Sequence, residues 1–231
     1  MLITVHEFKT ILLQREDDIV QITLNRPDRL NAMDDLMFEE IPQAVSMIAQ
    51  DETVRVVIYT GAGRAFSAGR EMDFVAGLQM PVIAAVNGAA AGAGMGVALL
   101  ADFRIASESA VFAEAHVQRG LTPSVAAWYL PRLMGVAKAM EVLLLEKRIT
   151  ASEALDYGLV NSVVPNDQLM NEAWILARKL AELPPLTVRF TKHCVQQGLN
   201  DSLESVRVSA GWAQMLTRMR TDEQKISPTK K

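Results

Sequence analysis

The sequence contains little of what marks secreted, membrane or metal-binding proteins. Its single cysteine, Cys194, excludes a disulfide within the chain and suits a reducing compartment. The first residues lack the basic stretch and long apolar run of a signal peptide, and no apolar run reaches the ~20 residues that span a bilayer. We therefore expect a cytoplasmic protein, with an organelle matrix as the alternative, and no membrane partner.

Several common ligand-binding signatures are also missing. The net charge of −4 and the pI near 5.5 argue against nucleic-acid binding. His6, His116 and His193 lie far apart without metal-ligand spacing, so no metal site is predicted. Phe66 and Val97 stand where two dinucleotide-binding fingerprints would need their last glycine, and no P-loop or serine-hydrolase elbow occurs.

The chain has the apolar content and the element order of an α/β protein. Half of its 231 residues are hydrophobic, enough for a sizeable core. Predicted strands alternate with helices as far as residue 185, and the remainder is helical. We expect a core of repeated strand–strand–helix units over residues 1–185 and a helical region over residues 186–231.

The stretch from Pro81 to Asp102 is the most informative part of the sequence. The apolar run Val82–Val86 predicts a buried strand, and the glycines and alanines that follow it lead into an apolar helix, Met95–Ala101. A second Gly/Ala-rich turn, Gly61–Met72, follows another apolar strand. Two such turns at one sheet edge would present free backbone N–H groups, which can hold an oxyanion or a phosphate.

Five blocks of sequence, taken together and in order, resemble the crotonase family, also called the enoyl-CoA hydratase/isomerase family. The blocks are NRPDRLNAM, RVVIYTGAGRAFSAGRE, PVIAAVNGAAAGAG, GLTP with YLPRLMG, and RITASEALDYGLVNSVVP. The resemblance implies a spiral of ββα units with C-terminal helices, assembled as a homotrimer or hexamer. It also implies a coenzyme A thioester as substrate, with no separate cofactor.

The resemblance assigns two backbone N–H groups, those of Arg70 and Ala93, to an oxyanion hole for the thioester carbonyl. Tight helix–sheet packing is the alternative explanation of the two turns. By motif position, the segments that line the coenzyme contain Arg29, Leu30, Ala32, Ala68, Arg70, Glu71 and Met72. The guanidinium groups suit phosphates, although each arginine is equally compatible with a solvated surface charge.

The sequence departs from the family where hydratases and isomerases carry catalytic carboxylates. By position these sites hold Gly96, His116 and Ser124. Water addition needs a positioned acid/base pair, so we do not expect strong hydratase activity. His116 is the remaining catalytic candidate because histidine serves as acid or base near neutral pH, whereas a buried histidine without chemistry is the alternative. Because side chains alternate along a strand, we expect the neighbouring Glu114 to point away from His116.

The segment between Arg70 and Pro81 is shorter than the family pattern, either as a true deletion or through omitted residues.

Two functions stay open. The first is an acyl-CoA enzyme that stabilises a thioester enolate, acting as hydratase, isomerase, hydrolase or decarboxylase. The second is a catalytically weak protein that binds CoA thioesters or serves in an assembly. A protease-like relative of the same fold is a remoter third, because no Ser/His/Asp set is readable.

Overall fold

The computed structural model of the protein describes residues 2–69 and 77–226, with side chains described as far as residue 219. The strands are β1 (Ile3–Glu7), β2 (Ile11–Glu16), β3 (Ile19–Leu24), β4 (Val56–Gly61), β5 (Ala65–Ser67), β6 (Val82–Val86), β7 (Ala89–Ala91), β8 (Phe103–Ser107), β9 (Val111–Ala113), β10 (Ile149–Thr150) and β11 (Ser162–Val164). The α-helices are α1 (Asp35–Gln50), α2 (Ala93–Leu100), α3 (Val125–Met134), α4 (Val136–Leu145), α5 (Ala151–Asp156), α6 (Leu169–Ala181), α7 (Pro185–Gly198) and α8 (Leu203–Ile226).

The described strands form two sheets that the chain visits alternately. The larger sheet has the order β1-β2-β3-β4-β6-β8-β11, and the smaller has the order β10-β9-β7-β5. From β4 to β9, one strand joins the large sheet and the next joins the small one, with all neighbours parallel. Helices α2 and α3 follow β7 and β9 respectively. The predicted α/β spiral of ββα units is confirmed.

Strand β6 shows why the centre of the sheet is apolar throughout. Val82, Ala84 and Val86 belong to the main core, whereas Ile83 and Ala85 face a second core on the opposite side of the sheet, covered by α6. Both faces of a central parallel strand are buried, so its sequence is a continuous apolar run rather than an alternating one. This strand leads directly into β7 and the start of α2.

Helix α1 begins where a capping residue predicts it. The Asp34 carboxylate accepts a hydrogen bond from the Met37 N–H at 3.0 Å, as expected of an N-cap. The helix then runs from Asp35 to Gln50 with Pro42 inside it, so the proline does not delay the helix start. Four apolar side chains bury the inner face and hold the helix in place: Met37, Ile41, Ala44 and Ile48.

The side chain of Glu40, on α1, is buried against the start of β2. Its carboxylate accepts hydrogen bonds from the Lys9 N–H at 2.9 Å, from the Thr10 N–H at 2.8 Å and from the Thr10 hydroxyl. Desolvation by burial acts to raise the pKa of Glu40, but these hydrogen bonds outweigh it and leave the pKa below its ordinary value. The ionised form therefore stabilises the fold.

We expect the stability of the protein to depend on pH through Glu40. Because the pKa is lower in the folded state, the contribution is complete above the unfolded-state pKa and disappears as the pH falls through the folded-state value. Glu40→Gln should unfold at a lower temperature near neutral pH, since an amide NH₂ then faces backbone donors. Melting temperatures at about pH 7 and about pH 3.5 check this: on acidification the melting temperature of the wild type should fall further than that of the variant. Equal decreases in the two proteins would contradict the stabilising role of the ionised Glu40.

The C-terminal helices complete the described fold. The predicted boundary between residues 185 and 186 falls at the start of α7, and the division into two regions stays a prediction. Within residues 2–69 and 77–226, no helix combines the length and the hydropathy needed to cross a bilayer.

Candidate active site

The N-terminus of α2 lies at the centre of the candidate site. Gly92 has a φ of +52°, a conformation that favours glycine, and turns the chain from β7 into the helix. The Gly92 N–H donates to the Ala113 carbonyl at 2.8 Å, which anchors the turn to β9. Ala93 is the first helical residue, so its N–H has no acceptor within the helix.

The second Gly/Ala turn packs directly against this helix end. A Cβ atom on Gly69 would lie 2.7 Å from the Ala93 nitrogen and 2.6 Å from the Gly94 nitrogen. Only a residue without a side chain can approach the amides so closely, and the φ of +80° at Gly69 also favours glycine. The two turns thus meet, as their positions in the sequence predict. Arg70, Glu71 and Met72 lie outside the described residues, so the pairing of the Arg70 and Ala93 amides stays a prediction.

His116 stands beside the same helix end. A Cβ on Gly92 would lie 3.7 Å from His116 Cε1, which places the edge of the imidazole next to the residue before Ala93. The pocket at this point is lined by Gly92, Ala93, Gly96, Glu114, His116, Pro123, Ser124, Val125 and Ala126. The two residues singled out as catalytic in the described part of the chain, Ala93 and His116, therefore share one pocket.

Glu114 contacts His116, contrary to the expectation from strand alternation. Strand β9 ends at Ala113, and His116 already has helical backbone angles, with φ −101° and ψ −46°. The His116 Nδ1 is hydrogen-bonded to the Glu114 Oε2. Residues two apart also share a face of a strand, so the spacing in Glu-Ala-His was the signal that could have revealed the pair.

The two members of the pair differ in exposure and environment. The Glu114 side chain is 1% exposed and the His116 side chain 14% exposed. Burial raises the pKa of the Glu114 carboxyl; the hydrogen bond and charge of His116 act in the opposite direction, and the Glu146 carboxylate adds to the rise. His116 is thus the member of the pair that an incoming molecule can reach.

The other two carboxylate positions of the family hold groups that do not titrate. Gly96 is buried on α2, and a Cβ there would lie 3.5 Å from the Val125 Cβ. Ser124 is exposed and precedes the first residue of α3. Glu114 and His116 are consequently the titratable side chains among the described residues that line the pocket.

The described residues assigned to the coenzyme form one corner beside the pocket. Leu30 has a φ of +53° after a short 3-10 turn that contains the exposed Arg29, and its carbonyl accepts from the Ala68 N–H at 2.9 Å. Sequence reasoning missed the role of Asn31, whose buried amide donates to the Ala62 carbonyl at 2.9 Å. This bond ties the segment containing Ala32 to the turn containing Ala68. No cluster of three or more potential metal ligands occurs in the described part of the chain.

Comparison with known proteins places this arrangement in a family. The model of the family described as "Enoyl-CoA hydratase/isomerase" matches residues 14–78 and 72–228. A probable enoyl-CoA hydratase, echA12, from Mycobacterium bovis is 36% identical, with 88% of this chain and 83% of the relative covered. The crystal structure of enoyl-CoA hydratase subunit I from Geobacillus kaustophilus has a TM-score of 0.89 at 34% identity, covering 95% of this chain and 93% of that one.

A structure of a monofunctional enoyl-CoA isomerase from Mycobacterium smegmatis is also similar. It has a TM-score of 0.80 and 37% identity, and 86% of this chain and 98% of that chain are covered. The fold and the backbone-lined pocket define an α/β protein of the crotonase type. The chain belongs to the enoyl-CoA hydratase/isomerase family, whose members act on acyl-CoA thioesters.

Proposed function

We propose that this acyl-CoA enzyme removes a proton from the carbon next to the thioester carbonyl, with His116 as the proton acceptor. The observation that carries the proposal is the position of the His116 imidazole beside the open N-terminus of α2. A carbonyl oxygen on the Ala93 N–H would bring its neighbouring carbon to the imidazole. The enolate formed would have its negative charge at the positive end of the helix dipole.

The backbone amides supply most of the stabilisation that such an enolate needs. A correctly aimed oxyanion-hole donor contributes roughly 3–4 kcal/mol to the transition state. The Ala93 N–H is one donor, and the Arg70 N–H is the second donor proposed from the sequence. Because both are main-chain groups, the residue types at these positions do not limit them.

The residues that line the pocket favour isomerisation of a double bond over hydration. One histidine can take a proton from one carbon of an enoyl-CoA and return it to another. Hydration needs a further group to position and activate water, and Gly96 and Ser124 supply no carboxylate for that purpose. The similar structure from M. smegmatis carries the name of an isomerase, which agrees with this preference.

The remaining assignments follow from the family. Coenzyme A enters as part of the substrate, along the corner formed by Arg29, Leu30, Ala32 and Ala68, and no separate cofactor is required. We propose a homotrimer or hexamer located in the cytoplasm. Apolar side chains on α8 support the assembly: Trp212 is 62% exposed and Leu203 75% exposed in the single chain, and a second copy would cover such residues.

Exchange of the α-protons of butyryl-CoA in D₂O tests the proposal independently of the net reaction. We expect the wild type to catalyse exchange, and His116→Ala to lower the rate about 10²-fold. The exposed His193 on α7 provides the matched control, and His193→Ala should exchange at the wild-type rate. A parallel assay should show 3-hexenoyl-CoA converted faster than crotonyl-CoA is hydrated.

The alternative, a weak CoA-thioester-binding protein, makes the opposite prediction. It would bind butyryl-CoA without exchange and leave both enoyl-CoA compounds unchanged. The comparisons offer no support for this alternative, since the relatives are named as enzymes.

A further inference from the structure

We propose that Glu114 is a positioning residue that holds the His116 ring with its proton on Nδ1 and leaves Nε2 as the base that faces the substrate. The inference concerns the orientation and the tautomer of the His116 ring before it reacts. It rests on the proposed function for its kinetic consequences only. The contact between Glu114 Oε2 and His116 Nδ1 is the observation on which it depends.

Glu114 and His116 differ in burial, and this gives the two side chains different roles. Glu114 is 3% exposed as a residue and lies beneath the pocket surface, so a substrate cannot reach its carboxylate directly. The imidazole covers it and presents the edge with Cε1 toward Gly92. Glu114 therefore acts on a substrate through the ring, as an orienting carboxylate does in other acid/base systems.

The hydrogen bond determines which ring nitrogen carries the proton. An ionised carboxylate only accepts, so a neutral His116 must donate to it from Nδ1, and Nε2 keeps its lone pair. A carboxylate at this distance also stabilises the imidazolium that forms when Nε2 takes up a proton. The proton moves from the substrate carbon to Nε2 and back, and Glu114 keeps its charge throughout.

The surroundings leave the carboxylate few other partners. Glu114 Oε1 is buried and accepts no hydrogen bond from any described residue. The other charged group that influences it is the Glu146 carboxylate, whose Oε1 accepts from the Gln118 N–H at 2.9 Å. The backbone N–H of Ala115 and the ring of His116 are the hydrogen-bonding groups that lower the pKa of Glu114 against the effect of burial.

Nitrogen NMR of the imidazole tests the inference without any substrate. The sequence has three histidines, so ¹⁵N-labelled ring signals can be assigned with His116→Ala. At a pH where the ring is neutral, we expect the wild type to show a protonated Nδ1 and an unprotonated Nε2. A neutral ring with its proton on Nε2 would overturn the proposal, and this result needs no variant of Glu114 to fold.

Kinetics of butyryl-CoA exchange supply the second test. Glu114→Gln should lower kcat about 10- to 100-fold with little change in KM, as for other partners that orient a histidine. Glu146→Gln is the matched control and should keep the wild-type rate.

A double-mutant cycle separates positioning from general structural damage. If Glu114 acts through the ring, Glu114→Gln should have no further effect in a His116→Ala background. The same loss in both backgrounds would contradict the proposal. An inactive wild type whose ring has the Nδ1–H tautomer would refute the proposed reaction while supporting the positioning role.

Discussion

Replacement of Gly94 by alanine is expected to bring activity to background and to destabilise the fold. A Cβ on Gly94 would lie 2.2 Å from the Ser67 carbonyl oxygen and 2.8 Å from the Ser67 carbonyl carbon. Both are backbone atoms that cannot rotate away, so α2 or β5 has to move. Either movement shifts the Ala93 amide away from Gly69, and the loss of one aligned donor alone costs ~10²–10³ in kcat.

Gly96 on the same helix provides the matched control. The three atoms nearest to a Cβ there all belong to the Val125 side chain, at 3.5 Å or more, which is ordinary van der Waals contact. Gly96→Ala should therefore fold normally and gain up to about 1 kcal/mol from helix propensity. Melting temperature and the exchange rate of butyryl-CoA should separate the two variants. A fully active Gly94→Ala would show that the contact between α2 and β5 does not align the site.

Removal of the Arg104 side chain should cause the second large effect, at the other end of α2. Arg104 is 9% exposed, and its Nη1 donates to the carbonyls of Leu99, at 3.2 Å, and Ala101, while Nε donates to the Leu159 carbonyl at 2.7 Å. The guanidinium thus caps the helix C-terminus and joins it to the segment before β11. Burial lowers the pKa of Arg104, because desolvation disfavours the charged guanidinium.

We expect Arg104→Met to lower the free energy of unfolding by about 3 kcal/mol or more. Several buried carbonyls lose their hydrogen-bond donor, and each carbonyl left without a donor costs about 1–3 kcal/mol. For a chain of this length the melting temperature should fall by roughly 6–12 °C. Arg104→Lys should lie in between, since an ammonium keeps the charge but lacks the planar fork. The exposed Arg148 supplies the control, and Arg148→Met should melt within about 1–2 °C of the wild type. An equal decrease in melting temperature for Arg104→Met and Arg148→Met would contradict the capping role of Arg104.

Local patterns predicted the parts of the fold that depend on neighbouring residues. The Thr150 hydroxyl and the Glu153 carboxylate form a capping box at α5, the structure that a Thr-x-x-Glu pattern indicates, and Asp34 caps α1. In both cases the physical cause lies within a few residues of the feature, so the sequence alone contains it.

Contacts between distant segments were beyond the reach of the same patterns. Nothing around Asn31 indicates that its amide bridges to the carbonyls of Ala62 and Ala65, since that depends on two loops meeting in three dimensions. The contact between Glu114 and His116 is different, because residues two apart share a face of a strand and the alternation rule was misapplied there.

The Ala93 amide has an evolutionary consequence. A donor that belongs to the main chain survives almost any mutation that preserves the helix start, so selection is free to exchange the side chains around it. If the Ala93 amide holds the thioester oxygen as we propose, the glycine at position 96 and the serine at position 124 change which protons the site can move and leave the stabilisation of the charged oxygen unchanged. Such a site could take on a different reaction through the substitution of single side chains.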